Sequence, residues 1–104
     1  MTRPGLGINI LSDQIAQQQR IEGVVILGVG PGGAADQAGI SGSRQTPDGW
    51  ELGDVIVKLG DIDVKKSSDL FRALDAHKVG DEVEVVLENR GRRRTVKVTL
   101  QELP

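Results

Sequence analysis

Arg3-Pro4-Gly5-Leu6-Gly7-Ile8-Asn9-Ile10 is a glycine-punctuated turn that runs straight into an alternating apolar strand, and the rest of the chain is organised around it. Without a Cβ, Gly5 and Gly7 can take left-handed or strained dihedrals, so the consecutive amides around Leu6, Gly7 and Ile8 can converge on one point. Such a concavity attracts an anion, which makes the stretch a candidate carboxylate-binding turn. Beyond it, Ile8 and Ile10 share one face of the strand and Asn9 the other. A free edge on that strand would present N–H and C=O groups at regular spacing, and an incoming peptide could pair there as one more strand. The same string also reads as a plain Gly-rich turn before a core strand.

The chain has 104 residues, which predicts a single domain over 1–104 able to fold without staples. Thirteen basic and fifteen acidic side chains leave a net charge of −2, so no global field draws in nucleic acid or an anionic membrane. The longest apolar run, Val24 to Val29, is too short to span a bilayer. The N-terminus lacks the pattern of a signal peptide, so targeting information is missing or was removed. Cysteine is absent, which removes thiolate chemistry but leaves the redox compartment open. With only Trp50 and Phe71 as aromatics, the core is expected to be aliphatic. No metal or other cofactor is expected.

Along the chain, Ser12 caps a short helical or turn connector, Asp13 to Arg20. Val24 to Val29 is a β-branched run bounded by glycines, expected as a central strand buried on both faces. Pro31-Gly32-Gly33 turns the chain into a short helix of small residues, Ala34 to Ala38, ended by Gly39. Ser41 to Trp50 reads as a long surface loop, with Trp50 either a lid on the core or an exposed docking ring. A strand, Leu52 to Leu59, turns at Gly60-Asp61 into Ile62-Asp63-Val64. Ser67 or Ser68 is expected to cap a helix from Asp69 to His77, and a hairpin of Glu82 to Glu88 with Arg93 to Leu100 closes the chain. Hairpins with helices at the open ends predict the α+β class: a small, partly closed antiparallel β-barrel or sandwich capped by two helices.

Four blocks in this order and spacing resemble a known family. They are Arg3-x-x-Leu6-Gly7-Ile8, then Gly30-Pro31-Gly32-Gly33-Ala34-Ala35-x-x-Ala38-Gly39-Ile40, then Leu52-Gly53-Asp54-Val55-Ile56, then Gly80-Asp81-x-Val83. Together they resemble the PDZ domain carried C-terminally by HtrA/Deg trypsin-like serine proteases. The resemblance implies that the backbone N–H groups of Leu6, Gly7 and Ile8 bind a peptide's terminal carboxylate. It places the peptide groove between the strand of Asn9 and Ile10 and the helix carrying Phe71 and Leu74. Those two side chains either form a ligand pocket or only pack the core. Arg3 either adds a positive charge beside the carboxylate or is a free terminal side chain. The implied partners are protein C-termini with an apolar last residue, and the protease domain of the parent chain. The implied location is the periplasm, cell envelope or chloroplast. The helix start, Ser67-Ser68-Asp69, departs from the many relatives that place a His there, which weighs against selection of a hydroxyl side chain in the ligand. The alternative role is structural: an assembly domain joining subunits or domains of the protease.

Other motifs carry less. Gly28-x-Gly30-x-x-Gly33 matches a dinucleotide fingerprint, but Gly39 stops its helix early and no second parallel strand ends in an acid where one is needed. The only His is His77 at a helix end, and no Ser sits in a Gly-rich nucleophile turn, so the piece is not expected to be catalytic by itself. Asp61-x-Asp63 with Asp69 lacks the bidentate Glu of a calcium loop. Arg90, Arg92, Arg93 and Arg94 crowd one hairpin tip, where Glu82, Glu84 and Glu88 on the adjoining strand offset the charge.

Overall fold

Alternating apolar residues and a few glycines fix most element boundaries. The structure, a computed structural model, describes residues 4–51, 53–89 and 91–102. Arg3, Leu52 and Arg90 lie outside the described residues, as do the side chains of Pro4, Gln45 and Trp50, so the readings placed on Arg3 and Trp50 are not addressed by it.

Strand β1 (Pro4–Gly5) enters the turn and β2 (Ile8–Ile10) leaves it. Ser12 accepts the N–H of Ile15 through its side chain and opens helix α1 (Asp13–Gln18), which places Asp13 in the positive first turn. Strand β3 (Val24–Val29) precedes the short helix α2 (Ala34–Gln37), whose Ala34 and Ala35 are small enough to pack flat on the core. Then come β4 (Arg44–Thr46), β5 (Gly49–Glu51), β6 (Val55–Leu59) and β7 (Ile62–Asp63). Helix α3 (Ser67–Asp75), β8 (Glu82–Asn89), β9 (Arg92–Thr99) and β10 (Gln101–Glu102) complete the order.

The main sheet is antiparallel and runs β2-β3-β6-β8-β9, with β7 added to β6. One face carries Val24, Ile26, Ile56, Leu59, Val85, Leu87 and Val98, and it packs against Leu70, Ala73 and Leu74 of α3 and the alanines of α2. Val25 is fully buried outside that cluster, on the strand that α1 also packs against, so β3 is covered on both sides over Val24–Ile26, whereas Leu27, Gly28 and Val29 are only partly buried, short of the run buried throughout that its composition predicts.

The α+β class holds, and the details differ in four places. The sheet is open: its end strands β2 and β9 do not pair with each other, so no barrel closes. Three helices accompany it among the described residues, because α1 is a true helix despite its weak apolar stripe. The expected ten-residue loop is a hairpin of β4 and β5. Thr46 donates its hydroxyl to Gly49 O at 2.9 Å and Arg44 pairs with Glu51 at 3.0 Å, bonds that turn residues alone do not announce. Finally, α3 begins at Ser67, with Lys66 as an N-cap whose ammonium has no acceptor to offer the helix, and the Ser67 hydroxyl is turned to Asp13 instead of capping.

A buried polar knot anchors the sheet to the loop before it. Asp54 is 0% exposed, and its carboxylate accepts from Ser41 N (2.9 Å), Asn89 Nδ2 (3.0 Å) and Arg94 Nη2 (2.8 Å). Gly53 beside it has no room for a side chain: a Cβ would overlap Gly42 and stand 2.5 Å from Ser43 N. At the hairpin tip Arg93 pairs with Glu88 at 3.1 Å, in line with the expected offset of charge.

Candidate functional site

The turn between β1 and β2 spends its carbonyls and keeps its amides. Leu6 O accepts from Ala35 N at 2.9 Å and Gly7 O accepts from Gly30 N at 2.8 Å. In a hydrogen-bonded antiparallel pair Gly7 N would return a bond to Gly30 O, but that oxygen takes the N–H of Gly33 instead. Among the described residues no acceptor is found for the N–H of Leu6 or of Gly7. Ile8 is opposite Val29 and Ile10 opposite Ile26, both at non-hydrogen-bonded positions of the ladder, as the flanking bonds Gly30 N to Gly7 O and Leu11 N to Val25 O require. The N–H and C=O groups of Ile8 and Ile10 therefore point away from β3, toward the side where β2 has no neighbouring strand among the described residues. Gly7 holds φ at +71°, a conformation open to glycine and strained for other residues.

The side chains divide the work. Leu6 is buried in the core at 2% exposure and anchors the turn from below. Ile8 and Ile10 are half-buried against the core, while Asn9 faces outward. On α3, Leu70, Ala73 and Leu74 point inward, and Leu74 at 4% exposure belongs to the core cluster, where it can serve only as the floor of a pocket. Phe71 is 51% exposed, one of three large apolar side chains left open to solvent among the described residues.

Two contacts at this site were not legible in the sequence. The side-chain amide of Gln101, on the ribbon that β10 makes with β1, accepts the Ala34 N–H through Oε1 and lies against the α-carbons of Gly7 and Gly33. It thus ties the turn to the start of α2. At the other end of β2, the Asp13 carboxylate accepts both the N–H of Ser67 (Oδ1, 2.9 Å) and its hydroxyl (Oδ2, 2.6 Å). The Ser67 hydroxyl first, and its N–H second, hold the Asp13 carboxyl below the usual aspartate value; partial burial opposes them and Lys66 adds a smaller push downward. Neither Gln101 nor the Asp13–Ser67 pair falls in a recognisable motif, and each joins residues more than fifty positions apart.

Other features of the chain make no comparable site. A depression of about 1030 Å³ is lined by Ile21, Val55, Val57 and Val86 with charges of both signs at its rim, and it shares no residue with the turn. His77 is half-buried, with Nδ1 3.7 Å from Asp81, so it is less solvent-facing than a helix-end position suggests. Among the described residues no group of three or more His, Asp or Glu could hold a metal ion, and Asp69 instead accepts the Lys65 N–H at 3.1 Å. No described helix is long and apolar enough to cross a membrane.

A family model for the PDZ domain matches residues 4–100. The chain belongs to the PDZ domain family. Over 107 residues this PDZ domain is 38% identical to "Protease Do-like 1, chloroplastic" of Arabidopsis thaliana, covering 100% of the chain and 24% of that protein. It is 34% identical over 110 residues to "Serine protease Do-like HtrA" of Lactococcus lactis, covering 96% of the chain and 24% of the relative. The chain thus spans about a quarter of the length of the curated relatives it matches. Among solved structures it superposes on the HtrA-type protease AlgW determined with a decapeptide, at a TM-score of 0.74 and 18% identity over 99% of the chain and 30% of that chain. The serine endoprotease of Yersinia pestis gives 0.71 and 23%, with the same coverage of 99% and 30%. At these identities the structural likeness is one of fold. Leu6, Gly7 and Ile8 lead into β2, which among the described residues pairs with β3 on one side only.

Proposed function

We propose that this PDZ domain captures the free C-terminus of a protein by strand addition and is non-catalytic on its own. The observation that carries the reading is the amide row of the turn, with the N–H groups of Leu6 and Gly7 unspent and that of Ile8 directed at the free edge of β2. A terminal carboxylate supplies the acceptor these donors lack, since successive backbone N–H groups in such a turn form an anion-binding concavity. The peptide behind it would pair with the outward groups of Ile8 and Ile10, with main-chain bonds giving affinity and one pocket giving selectivity. The side chains that would line that pocket, Ile8, Ile10 and Phe71 over Leu74, are aliphatic and aromatic, so it would favour Val, Leu, Ile or Phe as the last residue; burying one contributes about 1.5–3 kcal/mol. A solved protease of the same fold was determined with a decapeptide, which supports the reading by analogy. Within a parent serine protease the domain would recruit substrate or regulate the active site. The chloroplastic and bacterial relatives support a chloroplast or cell-envelope location.

Isothermal titration calorimetry tests this with pairs of short peptides ending in an apolar residue, each made as the free acid and as the C-terminal amide. Binding of the acid with loss on amidation is the expected result. Equal binding of both forms, or of neither, rejects carboxylate capture and leaves the assembly role.

A further inference from the structure

We propose that β9, at the opposite end of the sheet from β2, is a second strand-addition edge and takes an extended acidic segment of a partner protein. Leu100 donates its N–H to Asp81 O and accepts the N–H of Gly80, so its backbone groups point toward β8. From there β8 and β9 pair without a register shift, from Glu82 opposite Thr99 to Asn89 opposite Arg92. Backbone direction alternates along a strand, so the N–H and C=O groups of Thr99, Lys97, Thr95 and Arg93 point the other way. On that side β9 has no neighbouring strand, and no partner is found for those groups, among the described residues. Helix α2 also packs against β9, where the inward Arg94 side chain donates to Gly39 O, yet Arg93, Thr95, Lys97 and Thr99 stay exposed. Their side chains share the outer face of the sheet, since Val96 and Val98 between them face the core. That face of the strand holds two cations, Arg93 and Lys97, and no acid. Arg93 spends its Nε on Glu88 at 3.1 Å, and Lys97 stands 3.9 Å from Glu82, so both keep N–H donors for a second carboxylate. A further strand with acids opposite Arg93 and Lys97 would carry the alternation of charge from β8 across β9 to the partner. A second copy of β9 brings only cations and hydroxyls to the same face, and basic side chains on an edge work against such self-pairing. Charge complementarity thus selects an extended segment with Asp or Glu at i and i+4, a different ligand from the apolar C-terminus proposed for β2.

Amide NMR titration of the isotope-labelled 104-residue chain tests this with the peptide Thr-Glu-Val-Thr-Val-Glu-Thr, acetylated and amidated so that it carries no terminal charge. The expected result is a saturable shift of the Arg93, Thr95, Lys97 and Thr99 amides with slowed exchange of their N–H groups, while those of Gly7 to Ile10 stay in place. A peptide with Lys for both Glu, and one of the same composition with its two Glu adjacent so that they face opposite sides, are expected to give no shift at the same concentration. Equal shifts from either control show charge attraction without strand pairing and reject the edge, as do shifts confined to β2 or no shift at all. Arg93→Gln combined with Lys97→Gln is expected to weaken binding about five-fold, the size of two exposed cross-strand ion pairs; unchanged affinity rejects the acidic partner. Thr95→Pro deletes one outward N–H at a position where an edge strand tolerates proline, and is expected to abolish binding. Should Thr95→Pro melt below the assay temperature, the doubly neutralised variant decides. Shifts of the β9 amides that depend on protein concentration without peptide would show self-pairing and overturn the proposal. Because the peptide ends are blocked and the signal is read at β9, the outcome is independent of carboxylate capture at the turn.

Discussion

The side-chain amide of Gln101 rests on the α-carbon of Gly7, with Oε1 2.8 Å from the point where a β-carbon would stand. Two requirements meet at this glycine: a positive φ that exposes the amide row, and an empty side-chain position that lets the β10 ribbon brace the turn from behind.

Gly7→Val is therefore expected to abolish peptide binding while the fold survives. The left-handed φ costs a β-branched residue about 1–2 kcal/mol, and Gln101 must give way as well. The Cβ branch then tilts the amides of Gly7 and Ile8 off their shared focus. A calorimetric titration against a free-acid peptide, alongside a thermal melt, separates lost binding from lost structure; unchanged affinity would place the carboxylate elsewhere.

Asp54→Ala is expected to destabilise the domain by about 3 kcal/mol, because it removes a fully buried carboxylate and leaves the N–H of Ser41 and the amide of Asn89 without that acceptor. Arg94 retains its bond to Gly39 O, which moderates the loss. Urea denaturation read at equilibrium checks the figure, and a loss below about 1 kcal/mol would mean that water replaces the carboxylate.

The Asp13–Ser67 pair gives the domain an acid-sensitive contact. Its carboxyl has a native pKa below the ordinary 3.8, held there chiefly by the Ser67 hydroxyl, so the stabilisation it supplies is complete above that ordinary value and is lost as pH falls through the lower native one. Ser67→Ala removes the largest cause. Urea midpoints from about pH 5 down to about pH 2 are expected to fall less steeply in Ser67→Ala than in the wild type; parallel curves would show that Asp13 titrates normally.

The turn, the β-branched strand, the small-residue helix and the closing hairpin were all legible in the sequence, since each is encoded by neighbours within a few positions. Leu6-Gly7-Ile8 specifies its own conformation, and Val24 to Val29 declares a buried strand by composition alone. Tertiary structure decided what those elements could be used for. Whether the turn's amides stay free depended on Gly30 O choosing Gly33, on β2 lying at the edge of the sheet, and on Gln101 arriving from the other end of the chain. Ser67 read locally as a helix cap, yet its hydroxyl went to Asp13, because a carboxylate brought from a distant segment is a better acceptor than the helix's own backbone offers a donor. Local sequence can set a backbone dihedral, but which donors and acceptors remain unspent is settled only when remote segments meet.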